Sequence, residues 1–111
     1  MKIKNVKIGK RLQPVYFGNA ALAEFEDMTG TSLLNGFSSP TYAQSLKLAY
    51  VGCKQGSRKE GAPFQFDFEA FCDLLDEDST GKALTAILDI FAASMPQNQE
   101  QEAEPGKASG A

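Results

Sequence analysis

Histidine is absent from this 111-residue sequence. Because histidine is the side chain most often used as a general base and as a transition-metal ligand, its absence argues against most hydrolytic and zinc-dependent enzymes. The Gly-x-Ser-x-Gly motif of acyl transfer and the Gly-x-x-x-x-Gly-Lys-Ser/Thr motif of phosphate binding do not occur either. The sequence therefore predicts a protein that is not an enzyme, uses no cofactor and takes no small-molecule substrate.

Cysteine is scarce, and long apolar runs are missing. Cys53 and Cys72 stand too far apart for a Cys-x-x-Cys redox pair or a zinc knuckle, so both thiols are expected to be free and packed in the core. No run approaches the roughly twenty apolar residues that cross a bilayer, and no apolar segment follows the basic start as in a signal peptide. We therefore expect a cytoplasmic protein without a membrane partner.

Acidic residues are missing from the first eighteen positions, which carry five basic side chains. Residues 19–94 carry five basic and eleven acidic side chains, and the remaining tail is acidic. An acidic body argues against wrapping nucleic acid, because neutralising phosphates requires a basic face. A small nucleic-acid-binding protein that uses Lys2, Lys4, Lys7, Lys10 and Arg11 is kept as an alternative.

The hydrophobic pattern predicts a mainly α fold, a small bundle of about four helices in one domain over residues 1–94. Residues 1–18 are expected to form a basic extended arm or short strands. The first helix should end at Gly30, a second should run from Pro40 to about Gln55 and be closed by Gly56, and Asp67 should cap a third. Ser79 or Thr80 should cap the last helix. Residues 95–111 are polar and are expected to be disordered.

Four carboxylates crowd the region of Asp73, Asp76, Glu77 and Asp78. Their spacing does not match an EF-hand loop, which places oxygen ligands at alternate positions around a central glycine. Runs of like charge usually lie at the solvated surface. The sequence therefore predicts no metal site here.

Phenylalanine is abundant, with eight residues and no tryptophan. Four of them fall within eight positions, more than four short helices need for a core. These rings can fill the centre of a small bundle, or some can form an exposed apolar patch that binds a protein. On the second interpretation, the partner-binding residues are Leu33, Leu34, Phe37, Phe64 and Phe66.

Several strings of the sequence resemble the tail assembly chaperones of long-tailed phages and prophages. They are residues 17–30 (FGNAALAEFEDMTG), 32–34 (SLL), 48–52 (LAYVG) and 68–71 (FEAF), followed by an acid-rich helix end. The resemblance covers about residues 15–92 and leaves out the basic arm and the tail. It implies a mostly helical protein that binds the apolar, helical tape measure protein and keeps it soluble until the tail tube assembles.

The resemblance also implies self-association. An apolar groove with an acidic outer face would suit a client with amphipathic helices. A structural tail or head-tail connector component is a second interpretation, because such subunits are equally small.

Overall fold

The computed structural model describes residues 3–33 and 40–94. The expected mainly α class is confirmed, since four helices follow a short hairpin over these residues. In chain order the elements are β1 (Lys4–Ile8), β2 (Arg11–Val15), α1 (Asn19–Thr29), α2 (Tyr42–Lys59), α3 (Phe68–Asp76) and α4 (Lys82–Ser94). The tail that the sequence predicts to be disordered lies outside the described residues.

The basic arm folds as an antiparallel β-hairpin of β1 and β2, with Ile8 opposite Arg11. Its two-residue turn begins at Gly9, whose φ of 61° lies in the left-handed region that glycine adopts without strain. Alternate residues turn inward, so that Val6, Ile8 and Val15 are buried while the lysines of β1 are exposed. The arm is therefore a pair of strands that covers the helices with its apolar face.

Helix α1 ends where the sequence predicts. Gly30 has a φ of 71°, and its N–H donates to the carbonyl of Glu26 at 2.8 Å. This left-handed residue closes the last turn without the steric cost that a Cβ would bring. Ala21 and Phe25 form the buried face of the helix.

Helix α2 begins two residues later than expected. Thr41, not Ser39, is the N-cap, and Ser39 lies outside the described residues. The Thr41 hydroxyl oxygen accepts from the N–H of Gln44 at 3.1 Å, and the Gln44 side-chain oxygen accepts from the N–H of Thr41 at 2.8 Å. This reciprocal capping box satisfies two N–H groups at once. Pro40 precedes the cap instead of opening the helix.

The expectation that Gly56 closes α2 is wrong, because the helix continues to Lys59. Gly52 and Gly56 lie one turn apart on the side of α2 that packs against the end of β2. A Cβ at Gly56 would overlap the main chain of Pro14, and a Cβ at Gly52 would overlap the ring of Phe17. These glycines allow two backbones to approach closely, so their role is packing and not termination.

Helix α2 contacts β2 and each of the other three helices. An ion pair of 2.7 Å between Lys54 and Glu24 joins it to α1. The N–H of Tyr16 donates to the carbonyl of Gly52 at 3.0 Å and joins it to the chain beyond β2. The edge of the Phe17 ring meets Phe91 of α4, with ring centroids 5.3 Å apart. The core therefore surrounds the C-terminal two thirds of α2.

The cap of α3 agrees with the sequence, whereas α4 begins at Lys82, two residues after Thr80, with Gly81 directly before it. The Asp67 carboxylate accepts from the N–H of Ala70 at 2.8 Å, as expected. At the start of α4 the Thr80 hydroxyl accepts from the N–H of Lys82 at 3.1 Å, and the Asp78 carboxylate accepts from the N–H of Ala83 at 2.8 Å. The end of the acidic run thus compensates the positive end of α4.

Gly56→Ala tests the close approach of α2 to β2. In an ordinary helix interior this change stabilises a protein by about 0.5–1 kcal/mol. Here we expect a loss of about 2 kcal/mol in the free energy of unfolding, because the added methyl group must displace the main chain of β2. Urea denaturation measures the effect, and Ala23→Gly at an exposed position of α1 supplies the scale of helix propensity alone. A stabilised Gly56→Ala variant would contradict this packing.

Candidate functional site

Among the described residues, the titratable and nucleophilic side chains form no recognisable catalytic group. Over residues 3–33 and 40–94, no group of three or more Asp, Glu, Cys or His side chains is placed to hold a metal ion. Ser79 and Lys82 have the spacing of a Ser-x-x-Lys motif, but both are exposed. An activated lysine of this class requires a desolvated setting. The shape of the surface is therefore more informative than its reactive groups.

Leu33 is not on the surface, contrary to the sequence-based expectation. Its side chain is 4% exposed and belongs to the core. Its N–H donates to the Glu26 carboxylate at 2.6 Å, which holds the chain against α1 just after that helix ends. Burial removes this side chain from a free protein-binding patch. Leu34 and Phe37, the next two predicted partner-binding residues, lie outside the described residues.

Phe64 and Phe66 are half-buried and do not form an open patch. Their rings meet edge to face with centroids 5.3 Å apart, and Phe64 also lies 5.9 Å from the ring of Tyr50. The guanidinium of Arg11 covers Phe66 at 5.0 Å from its centroid. Both rings pack against the core and connect the hairpin to α2. Of the seven phenylalanines that the structure describes, none is exposed, so the surplus of rings is mainly structural.

Tyr50 lies at the centre of a cluster that accounts for several of the phenylalanine rings. It lies within 6 Å of the ring centroids of Phe64, Phe68 and Phe71. Its hydroxyl donates to the carbonyl of Phe66 at 3.4 Å. Edge-to-face contacts of this kind add to the free energy of burial. The rings fill the junction between α2 and the short, nine-residue α3.

Phe64→Ser and Phe66→Ser are therefore expected to destabilise the fold. We expect each change to lower the free energy of unfolding by roughly 2–3 kcal/mol, at or below the lower end of the range for deleting a core ring because both rings are only half-buried. Urea denaturation followed by circular dichroism measures the loss. Tyr42→Ser is the matched control, since Tyr42 is 73% exposed and should change stability by less than about 0.5 kcal/mol. If the two variants were as stable as the parent protein, Phe64 and Phe66 would belong to an exposed apolar patch and not to the core.

A groove between α2, α3 and α4 is the strongest candidate for a binding site. Its volume is about 180 Å³. Tyr42 and Leu46 contribute from the first turns of α2, where the helix extends beyond the core. Its lining residues, which define the acidic-rimmed groove, are Tyr42, Leu46, Cys72, Leu75, Asp76, Asp78, Gly81 and Leu84.

The sequence contained a signal for this groove. Tyr42 and Leu46 continue the apolar stripe of α2 that includes the buried Ala49, Tyr50 and Cys53. Periodicity alone does not tell where such a stripe leaves the core. In the structure its first turns are exposed or half-buried, and they face the groove instead of the core.

The rim of the groove is negative. Hydrogen bonds from the N–H of Ala83 and from Thr80 hold the pKa of the Asp78 carboxyl below its ordinary value of 3.8. Partial burial raises the pKa of the Cys72 thiol, and Asp73, Asp76 and Glu69 raise it further. Neither lysine nor arginine lines the groove. The arrangement can therefore accept apolar side chains that lie beside a positive charge.

Asp78 caps the start of α4 at the rim of the groove, and its contribution should appear in how the stability of the protein depends on pH. Because the pKa of Asp78 is lowered in the folded state, its stabilising effect is present above the ordinary value of 3.8 and is lost as the pH falls through the lowered pKa. We expect Asp78→Ala to melt below the parent protein at neutral pH, and this difference to shrink below about pH 4. Melting temperatures between pH 7 and pH 2 test this. Asp89→Ala, at an exposed position of α4, should show no such convergence.

A second cleft, of about 220 Å³, lies beside the start of α1. Arg58 and Lys59 line it, and the ammonium of Lys59 lies 5.3 Å from the ring centroid of Tyr16. Its buried Gln55 is already paired, because its oxygen accepts from Arg58 and its amide donates to Glu24. The buried Gln55 is therefore already hydrogen-bonded within the protein and does not indicate a ligand in this cleft.

Comparisons with family models, with curated proteins and with solved structures found no match to this chain. Within the described ranges, none of the helices is both long and apolar enough to cross a bilayer.

Proposed function

We propose that this protein is a tail assembly chaperone of a long-tailed phage or prophage that binds the tape measure protein. The resemblance over about residues 15–92 supports the family. We further propose that it acts in the host cytoplasm, keeps the client soluble until the tail tube assembles, and does no chemistry on it.

The acidic-rimmed groove is the observation that carries the proposal. Its volume of about 180 Å³ is below the roughly 300–1,000 Å³ of small-molecule pockets, and it is open to solvent along α2. A groove of this kind suits the side chains of an amphipathic helix, which present an apolar face at intervals of three and four residues. Leu46, Leu75 and Leu84 would meet that face. Asp76 and Asp78 would meet basic residues beside it.

Phe64 and Phe66 have a different role in this proposal. They support the junction of α2 and α3, which sets the width of the groove, while the client contacts Tyr42 and the leucines. Self-association, which the resemblance also implies, remains a prediction that sedimentation analysis of the purified protein can test.

Co-expression with the tape measure protein encoded in the same gene cluster tests the proposal. The parent protein should raise the soluble yield of that client. Leu46→Asp combined with Leu84→Asp should weaken client binding by about 30-fold or more and remove the gain in yield, because charges would then lie on the apolar floor.

Leu12→Asp is the matched control, since Leu12 is a large apolar side chain that is 66% exposed and lies on the hairpin, away from the lining of the groove. It should leave the soluble yield of the client unchanged. Equal losses in both variants, or no effect of the parent protein on the client, would contradict the proposal. Detection of the protein in purified phage particles would instead favour a structural tail or connector component.

A further inference from the structure

The outer edge of β1 presents main-chain groups that no other part of the described chain uses. The pair Ile8 and Arg11 flanks the two-residue turn, so it exchanges both of its hydrogen bonds, and every second pair along the ladder does the same. Asn5 and Lys7 fall at the alternate positions, where N–H and C=O groups point away from β2. Both residues are exposed.

The other edge of the hairpin is occupied. The carbonyl of Pro14 accepts from the side-chain amide of Gln13 at 2.8 Å, and the main chain there packs against Gly56 of α2. The N–H of Tyr16, just beyond β2, donates to the carbonyl of Gly52 at 3.0 Å. Within the part of the chain that the structure describes, the main chain of Asn5 and Lys7 on β1 has no such partner outside the hairpin.

The charge around this edge is positive. Lys4, Lys7 and Lys10 are exposed. Over residues 3–33 and 40–94 the structure shows one ion pair, between Lys54 and Glu24, and it involves no residue of the hairpin. Glu77 lies beside the turn at Gly9. Lys4 and Lys7 are three residues apart and lie on opposite faces of β1, so a strand that carries carboxylates on both faces would complement them.

A second copy of the hairpin fits this edge poorly. Pairing β1 with β1 of another molecule would bring lysines close to lysines, and like charges on neighbouring strands destabilise a sheet. Exposed lysines on an edge strand protect it against such pairing. They do not protect it against an acidic strand, because there the same charges attract.

We infer that the free edge of β1 accepts an extended acidic segment of a partner protein as a third strand of the sheet. The main chain of Asn5 and Lys7 would supply the hydrogen bonds, and the lysines would select for acidic side chains. This surface is separate from the acidic-rimmed groove, so the inference stands or falls independently of the proposed chaperone function.

A synthetic peptide that repeats Glu-Glu-Val-Val is the probe, because neighbouring glutamates place carboxylates on both faces of the added strand, and it is titrated into the full-length, ¹⁵N-labelled protein. We expect the amide signals of Asn5 and Lys7 to shift and their hydrogen exchange to slow by about tenfold or more at saturation. Asn5→Pro should weaken binding by about tenfold, because it removes an outward N–H but no bond of the hairpin ladder. The far-UV circular dichroism spectrum and melting temperature check that this variant still folds.

A charge exchange keeps the test decisive if Asn5→Pro does not fold. Lys4→Glu combined with Lys7→Glu should lose the acidic peptide and gain a peptide that repeats Lys-Lys-Val-Val. No binding of either peptide would overturn the inference and leave the lysines as protection against aggregation.

Two further outcomes would also overturn it. Binding of a short DNA duplex that outcompetes the peptide, and that Asn5→Pro leaves intact, would make the hairpin a nucleic-acid surface. Protection of Asn5 and Lys7 without any peptide, lost when Glu100, Glu102 and Glu104 are changed to glutamine, would make this chain's own tail the occupant.

Discussion

The close approach of α2 to the end of β2 is the constraint on which the rest of the structure depends. Gly56 leaves no side chain between α2 and β2, so main chain packs directly on main chain there, and Gly52 makes room for the ring of Phe17 just beyond the strand. This contact buries polar groups of α2, and the side chain of Gln13 makes hydrogen bonds to them. Its amide donates to the carbonyl of Cys53 at 3.1 Å and to the hydroxyl of Ser57 at 2.9 Å, while its oxygen accepts from Arg11 at 2.9 Å. A buried amide with its hydrogen bonds made stabilises the contact, whereas an unpaired one would oppose it.

This contact also explains the chemistry of the core around it. Burial raises the pKa of the Cys53 thiol well above its usual range, which keeps the sulfur protonated and unreactive. Arg11 extends the network outward, since its guanidinium contacts both Gln13 and the ring of Phe66. The hairpin is thereby joined to the aromatic cluster around Tyr50, and the segment before α3 is held in place.

The positions of the two proposed surfaces follow from the division of α2 into exposed or half-buried first turns and a buried C-terminal part. Its C-terminal part is buried by the hairpin, α1 and α4, which leaves the lysine-bearing edge of β1 facing outward. Its first turns extend past the core and form one wall of the acidic-rimmed groove. The positive edge of β1 and the acidic-rimmed groove share no residue, although Glu77 brings the acidic run close to the turn at Gly9. Opposite charges on separate surfaces allow two partners of different chemistry to be distinguished.

The sequence by itself determined the features that depend on local chemistry. The mainly α class, the ends of helices at Gly30 and Asp67, and the buried thiol of Cys53 could be derived from residue type and spacing, because caps and apolar periodicity act over a few residues. What only the tertiary structure decided is which side of an apolar pattern meets solvent. Gly56 has the sequence signature of a helix end, yet β2 packs against it.

The candidate site shows the same division. Leu33, Phe64 and Phe66 are as apolar as any exposed patch would require, but their neighbours in space bury them wholly or in part. Tyr42 and Leu46 belong to the same stripe as core residues, and only the position of α3 and α4 turns them into the wall of a groove. Side-chain type fixes the affinity of a residue for an apolar environment, whereas the packing of distant segments fixes whether the protein itself provides that environment.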